Sequence, residues 1–152
     1  MKWLKLIVAA LVLALLVRWV WQRYFISDET RIKRLITTAT GAVETANLIK
    51  LESFIAHDYS DDFGFDKSTI IGGVRSFRSE YDALFIHLAD LKITVDPDHA
   101  KAQAIFIAKV LAQPKGGGVQ TEVRAERYRL FLRKGEQGWQ LIRTESPQLK
   151  FE

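Results

Sequence analysis

The longest uninterrupted apolar run is Leu6–Val17, with Lys2 and Lys5 before it and Arg18, Trp19, Trp21, Arg23 and Tyr24 after it. As a helix, Leu4–Trp21 measures about 27 Å, enough to cross the hydrocarbon layer. Trp3, Lys5, Arg18, Trp19 and Trp21 are residue types that settle at the two membrane interfaces. A cleaved signal would place small residues just after the apolar core, and Arg18–Tyr24 contains none. A short core helix would explain the run but not the aromatic and basic residues gathered at its ends. Residues 1–26 are therefore expected to form an uncleaved signal-anchor helix, with residues 4–21 in a lipid bilayer and residues 27–152 forming one separate domain.

Beyond the anchor the apolar spacing becomes helical, at Ile32, Leu35, Ile36, Ala39, Ala42, Val43 and Ala46. Ser27 can cap this helix, with Asp28 and Glu29 in its first turn. Leu48, Leu51, Phe54 and Ile55 continue the period, so either a second short helix follows or the first bends near Asn47. The turn formers His57–Gly64 end that region. Asp66 or Ser68 can start a third helix with Ile70, Ile71, Val74, Phe77 and Tyr81 on its apolar side. Gly72 and Gly73 inside it each cost about 1 kcal/mol against Ala, a cost that close approach to a sheet would justify.

After Tyr81 the period drops to two. Leu84, Ile86 and Leu88 alternate, and Leu91, Ile93 and Val95 alternate in the opposite phase, which implies a bulge or bend near Ala89-Asp90. Asp96-Pro97-Asp98 reads as a turn, Ala100–Ala112 as a strand and Pro114–Gly118 as a loop. Glu122–Arg133 and Trp139–Glu145 are two more strands joined by a short turn at Gly135–Gly138. Three helices followed by antiparallel strands predict an α+β domain with its helices on one face of a curved sheet.

Charge removes one class of function. The chain is formally +4, but Lys2, Lys5, Arg18 and Arg23 account for the whole excess, and residues 27–152 are neutral. The electrostatic footprint of a nucleic-acid domain is absent. There is no cysteine, which excludes disulfides and thiolate metal sites. Basic residues flank the apolar run on both sides, so the positive-inside rule does not orient it. The Met-Lys-Trp-Leu-Lys start looks like a secretory n-region, and on that ground the domain is expected on the periplasmic side of a bacterial inner membrane.

Several local patterns then carry a resemblance. They are Phe54–Tyr59, Ser60–Gly64, Leu91–Asp96, Ala100–Ala104, and Leu130–Gly135 running into Gly138–Ile142, where a Gly-Trp pair opens the last strand. Over roughly residues 28–146 the chain resembles the nuclear transport factor 2-like superfamily, the fold of ketosteroid isomerase and scytalone dehydratase. The resemblance implies a cone of about three helices packed on a curved four-stranded antiparallel sheet, following the transmembrane helix. It leaves function open, because such cones serve enzymes, small-molecule binders and interaction modules alike.

The candidate chemistry is sparse. His57, Asp58, Asp61 and Asp62 form the one dense acid–base cluster. His57 or Asp62 could serve an isomerase or dehydratase, whereas Asp58, Ser60 and Asp61 read equally as caps of turn amides. Tyr59, Tyr81, His87, Tyr128 and Trp139 are candidates to line a cavity, with an outward-facing His87 as the plainer reading. Arg127, Arg129 and Arg133 share one face of their strand, set to meet a partner or to pair with Glu122, Glu126 and Glu145. No cofactor and no metal site are expected. The first functional expectation is a non-catalytic interaction module or accessory subunit of a membrane complex, engaging another membrane protein or a second copy through the open sheet face. The alternatives are a membrane-tethered binder of a small apolar ligand, or an enzyme using Asp62 or His57.

Overall fold

The computed structural model describes residues 2–24 and 26–146, with side chains at 7–20, 26–122 and 124–146. Helix α1 (Lys2–Tyr24) is continuous. Its large apolar side chains from Ile7 to Val20 are exposed, and no other element packs on it among the described residues. Among the described residues no helix is long and apolar enough to cross a membrane. The expected transmembrane span Leu4–Trp21 is thus not supported among them. Leu4, Lys5 and Trp21, like Trp3, lie outside the described side chains. Arg18 and Trp19 lie inside them and are exposed.

Helix α2 (Asp28–Glu44) starts where Ser27 Oγ accepts from the Thr30 amide at 3.2 Å. It buries Ile32, Ile36 and Ala42. The helical region does split at Asn47, whose side chain accepts from the Lys50 amide at 3.1 Å and so starts α3 (Leu48–Phe54). Asp66 caps α4 (Lys67–Ser79), accepting from the Thr69 amide at 2.8 Å and from the Ser68 and Thr69 hydroxyls. Those bonds hold its carboxyl down to about 2. Two expectations for this helix need correction. A Cβ on Gly72 or Gly73 would meet nothing within 4 Å, so close approach to the sheet does not explain them. Tyr81 leaves the helix and opens the first strand, its ring 5.1 Å from that of Phe77.

The strands β1 (Tyr81–Val95), β2 (Lys101–Pro114), β3 (Thr121–Gly135) and β4 (Gly138–Glu145) form one antiparallel sheet in the order β1-β2-β3-β4. The expected phase slip is present. The β1–β2 register shifts between Ala89 and Lys92, and Asp90 has φ 54°. Ile86 and Leu88 before the bulge, and Ile93 and Val95 after it, therefore turn to the same side, opposite Val110, Ala108, Ala104 and Ala102. On β2, Ala102, Ala104, Phe106 and Ala108 are buried at alternate positions. The three alanines leave room for Ile32 and Ile36 of α2 in the main core, which Leu132 and Trp139 complete. Tyr128, Leu130 and Leu132 of β3 stand opposite Phe106, Ala104 and Ala102, so their face lies under the helices as the alternation predicts.

Two ties fix the helices to the sheet. After α3 the chain pairs with β4, the Ala56 amide donating to the Leu141 carbonyl at 2.9 Å. At the start of α2, Asp28 Oδ1 accepts from Lys134 Nζ at 2.9 Å and from Trp139 Nε1 at 3.1 Å, while its Oδ2 meets His99 Nδ1 at 3.0 Å. Burial alone would raise the Asp28 pKa, but these bonds outweigh it and the net shift is downward. One carboxylate thus joins α2 to the β1–β2 turn and to the β3–β4 hairpin.

Candidate functional site

Between α2, α3, α4 and the sheet lies a cavity of about 290 Å³, at the small end of ligand pockets. Leu35, Val43, Val74, Ile86, Phe106 and Leu130 are typical of its walls. Only two lining side chains are polar, Thr40 and Tyr128, and both hydroxyl hydrogens are already engaged. Thr40 Oγ1 donates to the Ile36 carbonyl at 2.8 Å. Tyr128 Oη donates to Glu126 Oε2 at 2.8 Å, and the other Glu126 oxygen accepts from an Arg124 amino group at 3.0 Å.

Strand parity builds this relay. Arg124, Glu126 and Tyr128 alternate along the helix-facing side of β3, opposite Val110, Ala108 and Phe106. Burial works against the Glu126 charge, but the bonds from Arg124 and Tyr128 prevail and lower its pKa. Burial, and then the bond to Glu126, push the Tyr128 phenol up to about 12. At neutral pH the carboxylate is ionised and the phenol keeps its proton.

The other expected lining residues are distributed differently. Tyr59 is buried with Ala42, Leu51 and Ile55 beside the cavity, its hydroxyl 3.5 Å from Asp61 Oδ2. Tyr81 packs on Phe77 at the end of α4. His87 is exposed on the open sheet face, opposite Lys109. Trp139 is buried, but its indole serves the Asp28 cluster. Of the five, Tyr128 alone lines the cavity.

The acid–base cluster stays outside. His57 is exposed, on a solvent-open groove with Glu52, Asp66, Lys67 and Arg75. Asp62 is exposed and accepts from Arg143 at 2.6 Å. Asp61 closes a turn, its Oδ1 accepting from the Phe63 and Phe65 amides at 2.9 Å each. Asp58 holds Arg133 through two bonds of 2.8 and 2.9 Å. Arg129 is 3.5 Å from Glu145, and Arg127 makes no ion pair among the described residues. No group of three or more His, Asp or Glu side chains among the described residues is placed to hold a metal ion. Sequence reasoning missed Glu126 as the partner of the cavity-lining Tyr128 hydroxyl, although its parity with Tyr128 and Leu130 was the available signal.

A family model of the SnoaL-like domain matches residues 25–145. The chain belongs to this family. The SnoaL-like domain is similar in structure to a candidate dehydratase of the nuclear transport factor 2-like family from Streptomyces avermitilis, with TM-score 0.68 and 14% identity over 78% of this chain and 94% of that one. It is similar to a candidate scytalone dehydratase from Novosphingobium aromaticivorans, with TM-score 0.67 and 13% identity over 78% and 82%. A nuclear transport factor 2-like protein with a cystatin-like fold from the same organism gives TM-score 0.65 and 19% identity over 92% and 90%. At these identities the likeness concerns the fold. No curated protein matches the chain. The expected cone, with helices packed on one face of an antiparallel sheet, is the architecture observed.

Proposed function

We propose that the SnoaL-like domain binds a small apolar ligand in its cone cavity, without turning it over, and that α1 tethers it to a membrane. The observation that carries the binding reading is the cavity wall, apolar except for two hydroxyls. The dehydratase names among its structural relatives raise catalysis as a competitor. Dehydration or isomerisation needs an acid or base within reach of the bound molecule, and His57 and Asp62 both lie outside the cavity lining. Ethylbenzene is expected to bind the full-length chain saturably by titration calorimetry. Ala108→Leu, which fills the cavity from β2, should weaken it at least tenfold with the far-UV spectrum retained. Absence of saturable binding by the parent chain would sink the reading.

The tether rests on α1 being unbroken and on the exposure of its apolar side chains. Full-length chain should stay with membranes through alkaline carbonate washing, whereas release into the wash would remove the tether.

A second reading, an interaction module, is favoured by the sheet face turned away from the helices. Phe85 is 53% exposed there, and Arg127 and Lys109 carry charge with no ion pair among the described residues. Uncompensated cations suit an acidic protein partner better than a second copy, which would set like charges against each other. Cross-linking in native membranes, with Arg127→Glu as control, separates the outcomes. A heteromeric product lost in the variant supports the reading, and a homodimer or no product counts against it.

A further inference from the structure

We infer that the ligand in the cavity carries a hydrogen-bond donor at its polar end, a hydroxyl, phenol or neutral amine, and not a carbonyl or carboxylate. The inference rests on the binding reading above and goes on to name the ligand's chemistry. A cavity wall can offer a ligand only the donors and acceptors it has not already spent. Thr40 has one hydroxyl hydrogen, and it goes to the Ile36 carbonyl one helical turn back. Tyr128 has one, and it goes to Glu126. An ionised carboxylate is acceptor-only, so the direction of that bond is fixed. Arg124 holds the opposite carboxylate oxygen, which keeps Glu126 charged and the phenol's hydrogen committed. What both hydroxyls still present is oxygen lone pairs.

A ligand carbonyl placed against either oxygen would bring two acceptors together with no hydrogen between them. Accommodating it would require Tyr128 to leave Glu126, stripping one bond from a partly buried charge. A carboxylate would add repulsion from Glu126. A phenol or alcohol meets no such conflict, because it donates to the waiting lone pairs. The same bookkeeping explains how a site can be nearly apolar and still select among ligands of one size.

The test compares ethylbenzene, 4-ethylphenol and acetophenone on the full-length chain by titration calorimetry. 4-Ethylphenol is expected to bind about tenfold tighter than acetophenone, the size of one well-made hydrogen bond gained against one lost. Glu126→Gln removes the acceptor-only partner and lets the Tyr128 hydroxyl turn to the ligand, so the preference should fall to about twofold or less. If ethylbenzene binds but the phenol and the ketone bind alike, the inference is overturned while the binding reading stands. If Glu126→Gln keeps the full preference, the committed phenol hydrogen is not its cause and the inference also fails. If none of the three binds, the binding reading itself has failed and takes the inference with it.

Discussion

Two helices cover the same sheet on unequal terms. α2 buries Ile32, Ile36 and Ala42 against the strands. It is tied at both ends, by Asp28 to the two turns and by Glu44, whose Oε1 accepts from the Ile86 amide at 2.7 Å. α4 has no buried residue, although Ile70 and Val74 line the cavity. Its hold is at its ends, through the Asp66 cap and through Arg78, which donates to the carbonyls of Glu44, Tyr81 and Asp82. α2 is thus part of the core, and α4 is a wall raised beside it. Both helices line the cavity, α2 from residues that are also packed in the core and α4 from residues that are not buried.

The sharpest way to break that division is to remove the same kind of contact from each helix. Ile36, 3% exposed, sits in the main core. Ile36→Ala should cost about 3 kcal/mol, the usual penalty for an emptied core site. Val74 faces the cavity and is half-buried, and Val74→Ala should cost about 1 kcal/mol. Denaturant unfolding of the full-length variants gives both numbers. Equal losses would mean that α4 is as much a part of the core as α2.

A second cut falls on the α2 clasp. Asp28→Ala leaves the Trp139 indole N–H without its acceptor in a side chain only 6% exposed. A loss of about 2 kcal/mol at neutral pH is expected. Asp28→Asn keeps an acceptor for the indole and should lose less. The pH dependence has a definite sign. The folded pKa of Asp28 lies below its ordinary 3.8, so its contribution is full above that value and fades as pH falls through the folded pKa. The gap between parent and Asp28→Ala chains should therefore narrow in strong acid, down to the part that comes from the indole's acceptor, which a protonated carboxyl still supplies. A gap that stayed constant down to pH 2 would show that the carboxylate's charge is not what holds the clasp.

The difference between the helices was only half legible in the sequence. The apolar spacing of α2, its Ser27 cap and the β1 bulge are short-range features, and each can be read from residues within a turn or two of one another. The face of β3 that meets the helices also followed from parity, which is why Tyr128 was found. Glu126 was misassigned to cross-strand pairing with the arginines, because parity alone does not reveal that a charged group on the inner face has partners beside it. The Asp28 cluster joins residues more than seventy positions apart, and no local pattern marks such contacts. The remaining cavity candidates failed for a related reason. An aromatic residue's type says that it will be covered, while the path of the chain decides by what.

The smallest stability effect bears most directly on access. Gly72 and Gly73 sit in the exposed middle of α4, and a methyl group at either would touch nothing within 4 Å. Gly72→Ala and Gly73→Ala should therefore each stabilise the chain by about 0.5–1 kcal/mol, through helix propensity and a less flexible unfolded chain. If both glycines serve only as tolerated weak points, the double variant will be more stable and will bind ethylbenzene at the parent rate. If α4 is the wall that yields to admit a ligand, stiffening its centre will slow association with little change in the occupied site, and stopped-flow association rates will drop by severalfold. An unchanged rate would leave α4 a passive wall and move the entry route to another part of the cone.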